Sequence, residues 1–103
     1  MQLLDTLMYQ YEIYIPTEFD SAIQYVINTF AIFFGGCTTH YKAEGLWRDN
    51  DGLPMQEPIT IVRAISNKEN DFPTRDMARY IKTTCNQQAV LWTKQTIQAT
   101  FED

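Results

Sequence analysis

From Phe19 to Phe33 apolar residues recur at spacings of four, three, four and three (Phe19, Ile23, Val26, Phe30, Phe33), which is the stripe of one helix face. On both sides of that stretch the period drops to two. Tyr9, Tyr11, Ile13 and Ile15 share one face of an extended segment that Pro16 stops, and another alternating run follows the double glycine Gly35-Gly36. A chain whose period switches in this way folds as layers, with helices covering a sheet.

The boundaries follow from local chemistry. Thr17 is a predicted N-cap, and Glu18 and Asp20 place negative charge in the first helical turn, where the helix dipole favours it. Gly35-Gly36 stops the helix, because glycine accepts the left-handed conformation of a C-terminal cap. Thr38 to Trp47 reads as a strand with Thr38, His40, Lys42, Glu44 and Leu46 on one face, and Thr39, Tyr41, Ala43, Gly45 and Trp47 on the other. Arg48 to Gly52 forms a turn, and Glu57 to Ile65 a second strand with Glu57, Ile59, Ile61, Arg63 and Ile65 on one side. The two strands make a hairpin.

Phe72-Pro73-Thr74 opens a second helix whose semi-apolar stripe is Met77, Tyr80, Ile81, Thr84 and Cys85. Ala89 to Thr93 reads as a short buried strand, and weak alternation at Ile97, Ala99 and Phe101 leaves room for an extra C-terminal strand. The order βαββαβ predicts a single α+β domain over residues 1–103: a ferredoxin-like split βαβ, an antiparallel sheet with both helices on one face. The other face stays open and carries aromatic and β-branched residues. A homodimer or higher homo-oligomer that covers it is expected.

Composition narrows the function classes. The chain has 103 residues with 45% hydrophobic and 20% charged side chains, enough for one ordinary core and too apolar for disorder. The net charge of −5 and the lack of a basic run disfavour extended nucleic-acid binding. Phe30 to Phe34 is too short to span a bilayer, and Met1 to Met8 lacks the pattern of a signal peptide, so no membrane partner and a cytoplasmic location are expected. The two cysteines, Cys37 and Cys85, suit reduced thiols in such a compartment.

The residue types that carry chemistry concentrate between Phe33 and Glu57, which holds the single His, one of two Cys and all four Gly. Cys37 and His40 stand three apart on a strand and point to opposite faces, so neither zinc nor another metal is expected there. Asp49-Asn50-Asp51-Gly52 resembles a calcium loop but lacks the downstream bidentate Glu, and is read as a turn. Gly35-Gly36-Cys37-Thr38-Thr39 follows a helix rather than preceding one, so its dipole has the wrong sign for a phosphate cradle. No cofactor is implied. A thiol nucleophile through Cys37 or Cys85 with His40 lacks a third, orienting group. A carboxylate pair or acid–base set is better placed, because the hairpin can put His40, Glu44 and Glu57 on one face. Structurally, Glu57 would instead anchor the hairpin by accepting hydrogen bonds from Thr or Trp groups.

Phe34-Gly35-Gly36-Cys37-Thr38, Gly45-Leu46-Trp47, Gly52 and Glu57, with Gln88-Ala89-Val90 later, resemble an uncharacterised family of small bacterial and phage α+β proteins with a Gly-Gly-x-Thr, Gly-x-Trp, Gly-turn and Glu pattern. The resemblance runs from about Phe19 to Val90. It implies a small α+β fold, no established activity, and Thr38, Gly45, Trp47 and Glu57 as the positions to test. Cys37 stands where that pattern expects a small residue such as Ala, which argues against a catalytic thiol.

These readings converge on a small, cytoplasmic, oligomeric binding protein without catalytic activity, of phage or mobile-element setting. It would hold a small ligand or a protein partner near Gly35–Glu57 through Thr38, His40, Trp47 and Glu57. One alternative is a small hydrolase or isomerase with Glu57 and His40 as acid and base. The other is a purely structural interaction protein.

Overall fold

The computed structural model describes residues 6–100 and 102. Six elements follow in the order β1 (Thr6–Pro16), α1 (Asp20–Phe34), β2 (Thr38–Arg48), β3 (Pro54–Ser66), α2 (Phe72–Thr84) and β4 (Trp92–Ala99). The four strands form one sheet in the order β2-β3-β1-β4, with every neighbouring pair antiparallel. This is the ferredoxin-like split βαβ arrangement that the period switches predict.

Register decides which side chains meet. Tyr11 stands opposite Ala64, Ile13 opposite Val62, and Ile15 opposite Thr60, so all six share the face beneath the helices. Each of the six is fully or almost fully buried. Onto that face α1 lays Ile23, Val26 and Phe30, and α2 lays Met77, Ala78 and Ile81, completing one core. Burying side chains of this size contributes roughly 1.5–3 kcal/mol each.

The helix ends depart from the sequence reading in two places. Thr17 does not cap α1: its N–H donates to the Pro58 carbonyl (3.0 Å) and its hydroxyl shares a 2.9 Å hydrogen bond with Thr60. The sheet ladder thus runs one residue past Pro16, and the buried Thr60 hydroxyl claims the cap's oxygen. At the other end Gly35 adopts φ 83° and donates to Ala31, as a left-handed cap requires. Phe33 leaves the predicted stripe and is 52% exposed. Phe34 takes its place, stacked on Tyr11 at 5.3 Å and edge-on to Phe30 at 5.4 Å. Both the third and fourth residues after Phe30 lie near the inward side, and the Tyr11 ring selects the fourth.

In α2, Tyr80 turns outward and stacks on Tyr25 of α1 at 4.7 Å, while Ala78 fills the inward position. The fourth strand lies later than its apolar run. Residues 89–91 form a loop, tied to β1 where Tyr14 N–H donates to Leu91 (3.1 Å), and the strand is Trp92–Ala99. Ile97 and Ala99, assigned to an extra terminal strand, instead belong to β4, and Phe101 lies outside the described residues.

The two phenylalanines near the end of α1 separate the packing roles. Phe30→Ala is expected to cost about 3–5 kcal/mol in urea unfolding, whereas Phe33→Ala should stay within about 1 kcal/mol. Equal losses would mean that the inward face of α1 is misassigned.

Candidate functional site

The β2–β3 hairpin is built by its acidic turn. One Asp49 carboxylate oxygen accepts from the N–H groups of Asp51 and Leu53 at 2.9 Å each, and Gly52 adopts φ 77°. Arg48 donates from Nη1 to the Gly52 carbonyl at 2.8 Å. The run that resembles a calcium loop is therefore engaged in turning the chain. Among the described residues no group of three or more His, Cys, Asp or Glu is gathered to hold a metal ion.

A β-bulge then decides what the hairpin presents. His40 pairs with Ile61 but Ala43 pairs with Ile59, so three residues of β2 span two of β3. One extra residue reverses the alternation. Thr38 and His40 share the open face with Arg63 and Ile61; beyond the bulge, Ala43 and Gly45 share it with Ile59 and Glu57. The expected face of Thr38, His40, Lys42, Glu44 and Leu46 is thus broken, and Glu44, opposite Pro58, falls on the other side from Glu57.

The predicted site residues do not gather at one point. His40 is exposed and stands four residues along β3 from Glu57, about 13 Å at the ordinary strand rise. Within one chain these two cannot exchange a proton, and the hydrolase or isomerase reading loses its acid–base pair. Thr38, opposite Arg63, is farther still, about 20 Å by the same rise. Trp47 is placed by its backbone opposite Met55, two residues from Glu57.

What does gather around Glu57 comes from remote sequence. A cleft of about 730 Å³ lies on the open face, floored by Tyr14 and Pro16 of β1 and Ile59 and Ile61 of β3. Ala43 and Gly45 line it from β2, and residues 86–91 after α2 close the far side. Gly45 directly opposes Glu57, so no side chain roofs the carboxylate across the ladder. Glu57 is half-buried, and no described side chain donates a hydrogen bond to it. The Thr anchor expected for it is not made: Thr17 and Thr60 bond each other. Burial, with a smaller contribution from the negative charge of Glu18, pushes the Glu57 carboxyl above the usual carboxylate range.

Beside the cleft the open face carries a charge pair that the sequence reading did not identify. Arg63 donates from Nε (2.8 Å) and Nη2 (2.6 Å) to one oxygen of Glu12, a carboxylate only 9% exposed. Tyr14 (3.2 Å) and Thr93 (3.4 Å) donate to the other oxygen. Burial, then the Glu12 charge, holds the Tyr14 hydroxyl above its usual range, so it stays a donor. Its ring lines the cleft. Cys37 and Cys85 are free and half-buried, and burial raises both thiols, the opposite of what a nucleophile needs.

No protein-family model and no curated protein matches the sequence. Solved structures do match in fold. The apo form of CPII from Thiomonas intermedia K12, a nitrogen regulatory PII-like protein, is 9% identical with a TM-score of 0.62, covering 98% of this chain and 100% of that one. The same protein bound to ADP, AMP and bicarbonate gives 9% identity and a TM-score of 0.59 over 95% and 96% of the two chains. CutA from Synechococcus elongatus PCC7942 gives 11% identity and a TM-score of 0.64 over 95% and 85%. At these identities the likeness establishes a shared fold.

Glu57 also makes a thermodynamic signature. Because its folded-state carboxyl titrates above the unfolded one, the unfolded chain releases that proton first as the pH rises. This position's contribution is fully present below the usual glutamate range and is lost as the pH climbs through the raised value. Glu57→Gln should therefore raise the melting temperature at pH 7 and leave it unchanged well below pH 4. A lower melting temperature at pH 7 would identify Glu57 as a structural acceptor instead.

Proposed function

We propose that this chain is a small ligand-binding protein without catalytic activity, acting as a cytoplasmic homo-oligomer. The observation that carries the reading is the cleft: about 730 Å³, mostly apolar in its floor, with one half-buried carboxylate lacking a described donor. Sites for small molecules have this make-up, a concave apolar surface with few directional polar groups. A half-buried carboxylate without a described donor is best accounted for by what it binds.

Other features support the absence of catalysis and the presence of an assembly. His40 and Glu57 stand apart along the hairpin, and both thiols are held protonated. No helix among the described residues is long and apolar enough to cross a membrane. The sheet face opposite the helices carries Ile61, Ile65 and Ile97 around the Glu12–Arg63 pair, and a second copy lying there would cover both that face and the mouth of the cleft. The fold itself serves ligand binding elsewhere, since CPII has been solved with ADP, AMP and bicarbonate. The binding region contracts from the whole Gly35–Glu57 span to its Glu57 end.

Native mass spectrometry of protein purified gently from its host tests both parts. The expected spectrum shows a homo-oligomer carrying extra small-molecule mass that denaturation releases. A ligand-free monomer would overturn the proposal, and an oligomer that carries nothing would favour a purely structural role.

A further inference from the structure

The small-ligand reading can be taken one step further, and the inference rests on it. We propose that the cleft selects a ligand with one positively charged nitrogen on an apolar body, an organic ammonium or amidinium rather than an anion.

The charges around the cleft carry this. Among its described lining residues the carboxylates are Glu44, Asp49 and Glu57, and the one cation is Arg48. Asp49 is engaged in the turn, accepting from the N–H groups of Asp51 and Leu53, and Arg48, which gives one N–H to the Gly52 carbonyl, stands opposite Pro54 at the hairpin tip. Glu44 is exposed, and its backbone lies on the opposite side of the ladder from Glu57. That leaves Glu57 as one half-buried carboxylate, reached through the gap that Gly45 leaves opposite it. Glu18 adds negative potential from outside the lining.

A phosphate or carboxylate at this point would meet the Glu57 charge, while Arg48, the one cation among the described lining residues, stands three residues along β3, about 10 Å at the ordinary strand rise. A cationic nitrogen meets the reverse situation. It supplies the missing donor, forms a charge-assisted hydrogen bond in a partly dry setting, and relieves the cost of ionising Glu57. The floor of Tyr14, Pro16, Ile59 and Ile61 offers rings and methyls rather than further acceptors, apart from the Tyr14 hydroxyl already donated to Glu12. An apolar body matches it. One carboxylate sets one positive charge; a polyamine would leave its other charges over apolar surface.

Isothermal titration calorimetry with a matched set of probes tests the inference: phenethylamine as the cation, phenethyl alcohol as its neutral counterpart, and AMP as an anion. Phenethylamine is expected to bind the wild type at least about tenfold more tightly than the alcohol, as a charge-assisted hydrogen bond implies. Glu57→Gln should erase that difference, with an unchanged circular dichroism spectrum confirming its fold. Amide NMR shifts should map the amine to Gly45, Ile59 and residues 86–91. Undiminished amine binding by the variant, or tighter binding of AMP or the alcohol, overturns the cation inference. If no probe binds but host-purified protein still retains a small molecule, the inference falls and the ligand-binding reading stands. If no probe binds and the host protein is empty, both fall.

Discussion

Strand β1 is the constraint on which the rest is built. It is hydrogen-bonded on both sides, to β3 and to β4, and its register places Ile13 between Val62 and Trp92. Once that line is set, alternation decides everything across the sheet. Tyr11, Ile13 and Ile15 point to the helices, and Glu12, Tyr14 and Pro16 point away. A slip of one residue would send Glu12 into the core, at a cost no small domain tolerates. The aromatic contact of Tyr11 with Phe34 then selects how α1 finishes, and the Tyr11 hydroxyl, bonded to Asp71 and Asn70, ties down the entry to α2.

The face pointing away shows how a central strand can bear polar function. Glu12 is nearly buried there, and Arg63, Tyr14 and Thr93 together satisfy both its oxygens. Arg63 keeps 39% of its side chain exposed, so the pair sits between interior and surface. Among the described residues Glu57, on the neighbouring strand, has no comparable set of donors. Two carboxylates on one face thus have opposite fates, decided by whether the sheet supplies hydrogen-bond partners. The satisfied one holds strands together, and the unsatisfied one marks the cleft.

How much of this the sequence discloses depends on whether the information is periodic or positional. The order of elements, the inward stripe of α1 up to Phe30 and the acidic turn at Asp49 all follow from period and turn chemistry. The fourth strand was misplaced because Ala89-Val90-Leu91 is more apolar than the true strand, an edge strand whose Lys94, Gln95 and Thr96 obscure its alternation. Thr17 looks like a cap until Thr60, distant in sequence, arrives beside it. The bulge has no compositional mark at all, so the faces of β2 could not be assigned past His40. Glu57 was legible as a carboxylate the fold did not explain. Its surroundings were not, because Tyr14, Pro16 and residues 86–91 reach it only through folding. The Glu12–Arg63 pair needed the β1–β3 register for the same reason.

The extra residue between His40 and Ala43 can be regarded as a parity setting for the hairpin. Segments on either side are both ordinary strand, yet they disagree about which side is up. Pairing with β3 reconciles them, because the ladder holds Ala43 and Gly45 over Ile59 and Glu57 and absorbs the surplus residue as a local bend and extra twist. Losing that residue would restore plain alternation from Thr38 to Gly45 and leave the same side chains facing Glu57. What would change is curvature: a straighter β2 would swing the hairpin tip, and with it the Asp49 turn, to a new angle against residues 86–91. The bulge therefore shapes the cleft without choosing its lining, a division of labour between backbone count and side-chain identity.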